Sequence, residues 1–112
     1  MEYTTGVYIM QVACKLAGMH PQTLRKYERA GFLKPSRSKM LRMYSDDDIA
    51  RLKTIRYLVE EAGLNLAGVE LALRLQAKIT DMKKEIDVQA ESRKLVENLL
   101  QHLDEILEML GT

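Results

Sequence analysis

The chain has few of the residues that catalytic and cross-linked sites require. Its 112 residues include one cysteine, two histidines and no tryptophan. A single cysteine, Cys14, cannot form a disulfide within one chain or supply a cysteine-based metal or iron–sulfur cluster, and its apolar surroundings indicate a small buried side chain. The sequence contains no glycine-rich phosphate loop, and His20 lies far from His102. We therefore expect neither enzymatic activity nor a bound metal or cofactor.

Long apolar runs are missing as well. No stretch approaches the ~18 consecutive apolar residues that span a bilayer. The N-terminal sequence MEYTTGVY is acidic and polar and does not resemble a secretion signal. These features predict a cytoplasmic protein without a membrane partner, and the length suits one small domain plus an extension.

Positive charge is concentrated in one part of the chain. Residues 1–60 contain eleven Lys and Arg against six Asp and Glu, whereas residues 61–112 contain six against ten. From Lys15 to Arg42 there are eight basic residues and one acid, Glu28. This asymmetry indicates an N-terminal part that meets a polyanion and a C-terminal part with another role.

The basic segment has the pattern of two short helices separated by a tight turn. Apolar spacing predicts a first helix from about residue 9 to residue 17 that buries Val12, Ala13 and Leu16. Gly18 supplies the conformational freedom for the turn, and Pro21 suits the first position of a second helix that ends near residue 30. A helix-turn-helix with so basic a second helix is shaped to enter a DNA groove and hold phosphates.

The following residues complete this head. Pro35 blocks further helix, and the basic stretch over residues 36–44 predicts an extended, hairpin-like wing. Ser45 and the three aspartates after it predict the start of a third helix, which ends before Gly63. Asn65 is expected to cap a fourth helix.

The C-terminal region has the apolar period of a coiled coil. Alternating steps of four and three from Leu75 to Leu110 meet an apolar residue at nine of eleven positions, which predicts one continuous helix over residues 75–110. At 1.5 Å per residue this helix would be ~54 Å long, and its apolar face needs a partner. The alternative is a helix that folds back on its own head. We predict a homodimer through these residues: Ile79, Met82, Ile86, Val96, Leu99, Leu100, Leu103, Ile106, Leu107 and Leu110.

A second apolar row appears beyond Arg93, one residue before the first: Leu95, Leu99, His102, Ile106 and Met109. The apolar stripe there is about twice as wide as one partner helix would cover. We expect this part of the tail to contact two neighbours.

Over residues 8–75 the chain resembles the MerR family of bacterial transcription regulators. The shared elements are, in order, Val12-Ala13, Gly18, Thr23–Glu28 (TLRKYE), Gly31-Phe32-Leu33, Pro35, Arg37, Arg42, Tyr44 and Gly63–Leu66. Within the family, AGMHPQTLR and EEAGLNLAGV are most similar to the HspR-type heat-shock repressors, and GlnR-type nitrogen regulators share a similar start of the fourth helix. The wing lacks the glycine that is usual in the family, and His20 stands where Ser or Thr usually caps the second helix.

The candidate DNA-binding residues lie on the second helix and the wing. Gln22, Thr23 and Lys26 project from the face that would meet base edges in the major groove. The resemblance implies phosphate contacts for Arg25 and the Tyr27 hydroxyl. The wing residues Arg42, Arg37 and Lys39 would hold the backbone or reach the minor groove, and Tyr44, whose ring is expected in the core, completes the set. The full set is Gln22, Thr23, Arg25, Lys26, Tyr27, Arg37, Lys39, Arg42 and Tyr44.

These features predict an all-α fold with a small β wing. A winged helix-turn-helix head (residues 1–76) precedes a long C-terminal coiled-coil dimerisation helix (residues 77–112). The predicted function is a nucleoid-associated, dimeric, sequence-specific regulator that binds an inverted repeat in double-stranded DNA. The resemblance implies repression of heat-shock and chaperone genes, antiparallel dimerisation helices and the DnaK chaperone as co-repressor. The alternatives are nitrogen control, an excisionase-like architectural role, or a coiled-coil module whose basic head binds an acidic protein or membrane surface.

Overall fold

Residues 6–38, 41–89 and 93–112 are described by the computed structural model of the chain. They form two compact units, Met1–Leu66 and Ala67–Thr112. The first unit contains β1 (Tyr8–Ile9), α1 (Met10–Ala17), α2 (Pro21–Arg29), β2 (Ser36–Ser38), β3 (Leu41–Tyr44) and α3 (Asp46–Glu60). The helix α4 (Leu66–Gln89) starts at the boundary, and α5 (Arg93–Met109) follows it. The predicted class, mostly helical with a small β wing and a helical C-terminal region, is confirmed.

The turn between α1 and α2 forms where the sequence predicts it. Gly18 has φ 71°, in the left-handed region that favours glycine, and its N–H and that of Met19 reach back to carbonyl oxygens of α1. The Arg56 guanidinium of α3 donates to the Gly18 carbonyl oxygen at 3.2 Å. At the start of α2, the Nδ1 atom of His20 accepts the Gln22 N–H at 3.1 Å, so histidine acts as the cap ahead of Pro21.

The wing is a short antiparallel hairpin. The strands β2 and β3 pair with Ser36 opposite Met43 and Ser38 opposite Leu41. The N-terminal strand β1 pairs with the other edge of β3, Tyr8 opposite Tyr44, which makes β3 the central strand of a three-stranded sheet. The sequence pattern did not predict β1. The tip residues Lys39 and Met40, where the glycine is missing, lie outside the described residues.

The buried side of α1 differs from the predicted one. Ala13 is fully buried as expected, and Cys14 and Ala17 are also buried, but Val12 and Leu16 are 40% and 45% exposed. The expectation that Val12 and Leu16 are buried is therefore wrong. A helix of eight residues offers one inward stripe, and the small side chains occupy it because they let the helix approach its neighbours closely.

The start of α3 is held by a capping box. The Ser45 hydroxyl accepts the Asp48 N–H at 3.0 Å, and the Asp48 carboxylate accepts the Ser45 N–H at 2.8 Å. The acidic first turn predicted from the sequence is thus confirmed as a helix start. Ile49, Leu52 and Ile55 lie one helical turn apart and are buried in the core of the first unit.

The second unit is a helical hairpin, whereas the sequence pattern predicts one continuous helix over residues 75–110. The Lys78 ammonium bonds the Glu105 carboxylate, and His102 Nε2 lies 3.1 Å from Glu85 Oε1. In one straight helix Lys78 and Glu105 would lie ~40 Å apart. The helix α5 therefore runs back along α4, and the expectation of one continuous helix is corrected. Two helices of the same chain can cover each other's apolar rows, which a single long helix cannot do.

The two apolar rows of the tail have different surroundings. Leu95 is buried, and Leu99, Ile106 and Met109 are half-buried in the hairpin. The neighbouring row, which we call the open row, has side chains between 48% and 57% exposed: Val96, Leu100, Leu103, Leu107 and Leu110. None of the helices in the described part of the chain combines the length and apolar character that crossing a bilayer requires.

Candidate nucleic-acid interface

The helix α2 separates a buried apolar side from an exposed basic side. Leu24 is fully buried and Tyr27 is 5% exposed, and these two residues hold the helix in the core. The outward positions carry exposed polar and basic side chains, with Thr23 half-buried beside them. Because residues three and four apart share a helix face, these side chains form one surface. That surface consists of Gln22, Arg25, Lys26 and Arg29.

The wing contributes basic residues at the edge of the same unit. Arg42 lies on the central strand β3, and its side chain is 39% exposed. Arg37 pairs with Arg42 across the hairpin, which fixes its backbone position. Lys39 lies outside the described residues. Among the wing residues predicted to bind DNA, the structure therefore describes the side chains of Arg42 and Tyr44.

Tyr44 is in the core and not at the surface. It has no exposed surface, so direct contact of its side chain with DNA is excluded in this conformation. The burial of its ring in the core agrees with the expectation from the sequence. Tyr27 is similar, since its ring packs in the core against Phe32 with centroids 6.3 Å apart, and burial raises the pKa of its hydroxyl.

Glu28 lies on α2 and contacts two residues of the wing. It is not among the DNA-binding residues predicted from the sequence. Its Oε1 accepts the Tyr44 hydroxyl, and its Oε2 lies 3.2 Å from Arg42 Nε. The Glu28 side chain is 11% exposed and the Arg42 side chain 39%, so the carboxylate is the shielded member of the ion pair. The sequence distinguishes Glu28 in one way, since it is the one acid between Lys15 and Arg42. We call the contacts among Glu28, Arg42 and Tyr44 the Glu28 cluster.

The Tyr44 hydroxyl makes the stability of the first unit dependent on alkaline pH. Burial raises the pKa of Tyr44 well above its ordinary value, and the hydrogen bond to Glu28 and the charge of that carboxylate raise it further. The folded-state pKa then exceeds the unfolded one, so this stabilisation is complete below about pH 10, the ordinary tyrosine pKa, and is lost as the pH rises above it.

We expect the free energy of unfolding of the wild-type chain to fall as the pH rises from about 10 to 12, because Tyr44 ionises at lower pH in the unfolded chain than in the folded one. In Tyr44→Phe the fall should be shallower. The Tyr8 and Tyr27 hydroxyls and the Cys14 thiol, whose pKa values are also raised, contribute to the remaining fall. Urea titrations monitored by circular dichroism across this range measure both slopes, and equal slopes would contradict the prediction.

No group of three or more His, Cys, Asp and Glu side chains within residues 6–38, 41–89 and 93–112 is arranged to hold a metal ion. The described site therefore consists of a basic helix face, a wing and the carboxylate between them. Hydrogen bonding and phosphate attraction are the chemistry that these groups support.

Comparison with known proteins places this geometry in a family. A family model described as MerR HTH family regulatory protein matches residues 8–76, which include α1, α2, the wing and α3. A curated protein of Streptomyces coelicolor, named as a heat shock protein HspR, is 39% identical over 80 residues. The matched region is 70% of this chain and 53% of that relative, so the chain spans about half the length of the relative it matches.

Proposed function

The chain belongs to the MerR family of helix-turn-helix regulatory proteins, and from this premise we propose that it is a dimeric repressor of heat-shock genes that binds an inverted-repeat operator. A MerR-type DNA-binding regulator is the function that the family establishes. The operator symmetry, the repression and the heat-shock regulon are the proposal. The relative named as a heat shock protein HspR supports the regulon, and the resemblance of AGMHPQTLR and EEAGLNLAGV to such repressors supports repression.

The observation that carries the DNA-binding assignment is the exposed basic face of α2. Gln22, Thr23 and Lys26 are proposed to meet base edges in the major groove, because Gln22 and Thr23 lie in the first turn of α2 and Lys26 follows one turn later on the same side. Arg25 and the wing residues Arg42, Arg37 and Lys39 are proposed to hold phosphates. Tyr27 and Tyr44 support these side chains from the core, and for Tyr27 the hydroxyl oxygen remains the proposed contact.

The open row, four residues of α5 followed by Leu110 directly after its end, supports a homodimer. Its five members follow one another at spacings of four and three residues, the spacing of a coiled-coil seam. A second copy of the chain offers an identical row, so two copies can cover each other. On α4, Ile79 and Ile86 of the predicted dimer set are also exposed, at 53% and 43%. Met82, Leu99 and Ile106, predicted in the dimer set, are half-buried within the single chain.

Two heads held by such a dimer would read two half-sites about one helical turn apart, ~34–36 Å, on a twofold-symmetric duplex. The family match ends at residue 76, which supports assigning residues 1–76 to DNA binding and residues 77–112 to dimerisation. We propose the DnaK chaperone as the co-repressor. Its support is the resemblance to HspR-type repressors.

The test starts from the full chain and a duplex library with a randomised central segment. Repeated capture and sequencing should enrich a twofold-symmetric sequence, which we call the selected duplex. If each head neutralises about four phosphates, the slope of log K against log salt should be near −7. A gel-shift titration measures it. A slope shallower than about −3 would contradict this footprint.

A duplex of scrambled sequence is the control in the same titration. The proposed regulator binds it far more weakly than the selected duplex at equal salt. If both duplexes bind equally, the chain is a module without sequence preference and the proposed operator is excluded. The genes next to the enriched sequence in the genome then distinguish heat-shock control from nitrogen control.

A further inference from the structure

A carboxylate beside a phosphate-binding surface needs an explanation. Glu28 lies on α2, between the basic residues Lys26 and Arg29, and it is the one acid from Lys15 to Arg42. Its negative charge repels the DNA backbone and lowers the attraction that its neighbours supply. An acid at this position therefore has to contribute something that outweighs the repulsion.

The contacts of the Glu28 cluster show what Glu28 contributes. Its two oxygens bind two different residues of β3, Tyr44 through Oε1 and Arg42 through Oε2 at 3.2 Å. Arg42 and Tyr44 are two residues apart, so their side chains lie on the same face of the strand. The strand β3 is central in the sheet, with β1 and β2 on either side. One carboxylate thus connects the α2 helix to the whole wing.

Arg42 keeps part of its side chain exposed while it pairs with Glu28. The closest approach to Glu28 Oε2 is made by Nε, one of the three guanidinium nitrogens, in an ion pair at 3.2 Å. The side chain remains 39% exposed, whereas Glu28 is 11% exposed. The carboxylate therefore holds the inner edge of the guanidinium, and the outer edge can meet a phosphate or the minor groove.

We propose that Glu28 is a positioning residue for DNA recognition, which holds the Arg42 guanidinium beside α2 so that wing and helix engage one duplex together. The inference rests on the proposed function. A long arginine side chain loses conformational entropy when it binds, and prior fixation by Glu28 reduces that loss. Glu28 then increases affinity for the correct duplex while its charge lowers affinity for DNA in general.

The first test replaces Glu28 by glutamine. Glu28→Gln keeps the size and an acceptor for Tyr44 but removes the charge that holds Arg42. We expect the full chain to lose about tenfold in affinity for the selected duplex, since a single charged contact is worth that order. Affinity for scrambled duplex should stay equal or rise, because one negative charge near the phosphates is gone.

A matched control distinguishes the effect of positioning Arg42 from the effect of removing one negative charge. Glu61→Gln makes the same charge change at an exposed residue of the head, outside α2 and β3. This variant should bind both duplexes with unchanged or slightly higher affinity. Glu28→Asp keeps the charge and shortens the side chain by one methylene, so it should lose affinity for the selected duplex through position alone. It also keeps the inference testable if Glu28→Gln does not fold.

The second test asks whether Glu28 acts through Arg42. In an Arg42→Gln background, Glu28→Gln should cause no further loss of affinity for the selected duplex, because the group that Glu28 positions is already absent. A purely structural role would lower the midpoint of thermal unfolding and the affinity in both backgrounds. That result, or Glu28→Gln binding as tightly as Glu61→Gln, would overturn the inference. If the wild-type chain enriches no duplex at all, the proposed function itself fails.

Discussion

Replacing Leu103 by aspartate is expected to make the protein monomeric and to lower its affinity for the selected duplex by about 10²–10⁴-fold. Leu103 lies on α5, is the middle member of the open row and is 48% exposed in the single chain. A second copy that covers this row would bury the new carboxylate without a partner, which is strongly unfavourable. Once the dimer is lost, each head binds its half-site alone. Light scattering on a sizing column and gel shifts measure the two effects.

The control for this substitution is Gln101→Asp, which adds the same charge at an exposed position of α5 outside the open row. It should remain dimeric and bind the selected duplex with nearly wild-type affinity. Circular dichroism should show equal helix content in both variants, because Leu103 does not contribute to the buried row of the hairpin. A dimeric Leu103→Asp protein would exclude the open row as the dimer interface.

Replacing Leu24 by alanine is expected to destabilise the first unit by about 2–5 kcal/mol. Leu24 has no exposed surface and anchors α2 in the core, so its truncation removes buried apolar contacts and leaves a cavity. Small domains have about 5–15 kcal/mol of stability in total. The change is therefore a large fraction of what keeps α2 in place, and DNA affinity should fall with the folded population.

Urea denaturation measures the loss of stability, and Gln22→Ala on the same helix is its control. Gln22 is exposed, and exposed substitutions usually change stability by less than about 0.5 kcal/mol. Gln22→Ala should therefore keep the stability of the first unit and lose affinity for the selected duplex. In Leu24→Ala, by contrast, the loss of stability is the primary effect and the loss of affinity follows from it. A loss of less than about 1 kcal/mol in Leu24→Ala would mean that the α2 helix is not held by this residue.

Elements whose signals are local could be predicted from the sequence. The turn at Gly18, the start of α2 at Pro21 and the capping box at Ser45 depend on residues within one helical turn of each other. The basic character of the candidate interface is also a property of composition. For these reasons the helix-turn-helix, the wing and the family resemblance could be seen before any contact was known.

Features that depend on contacts between distant residues could not be predicted in this way. A period of 3.5 residues identifies an apolar face but not its partner, so one continuous helix and a helical hairpin fit residues 75–110 equally well. Pairs such as Lys78 with Glu105 distinguish the two. The buried side of α1 is a second example, since Val12 and Leu16 are more apolar than Ala13 and Ala17 yet remain more exposed.

The sequence alone determined the helix-turn-helix order, the basic segment and the two apolar rows of the tail, because propensity, capping and charge act between neighbours in the chain. Folding in three dimensions determined which apolar row stays open. It also brought Glu28 to Arg42 and Tyr44, residues 14 and 16 positions further along. A carboxylate in a basic segment acquires its role from the strand that packs against it, and that packing is not encoded in any local pattern.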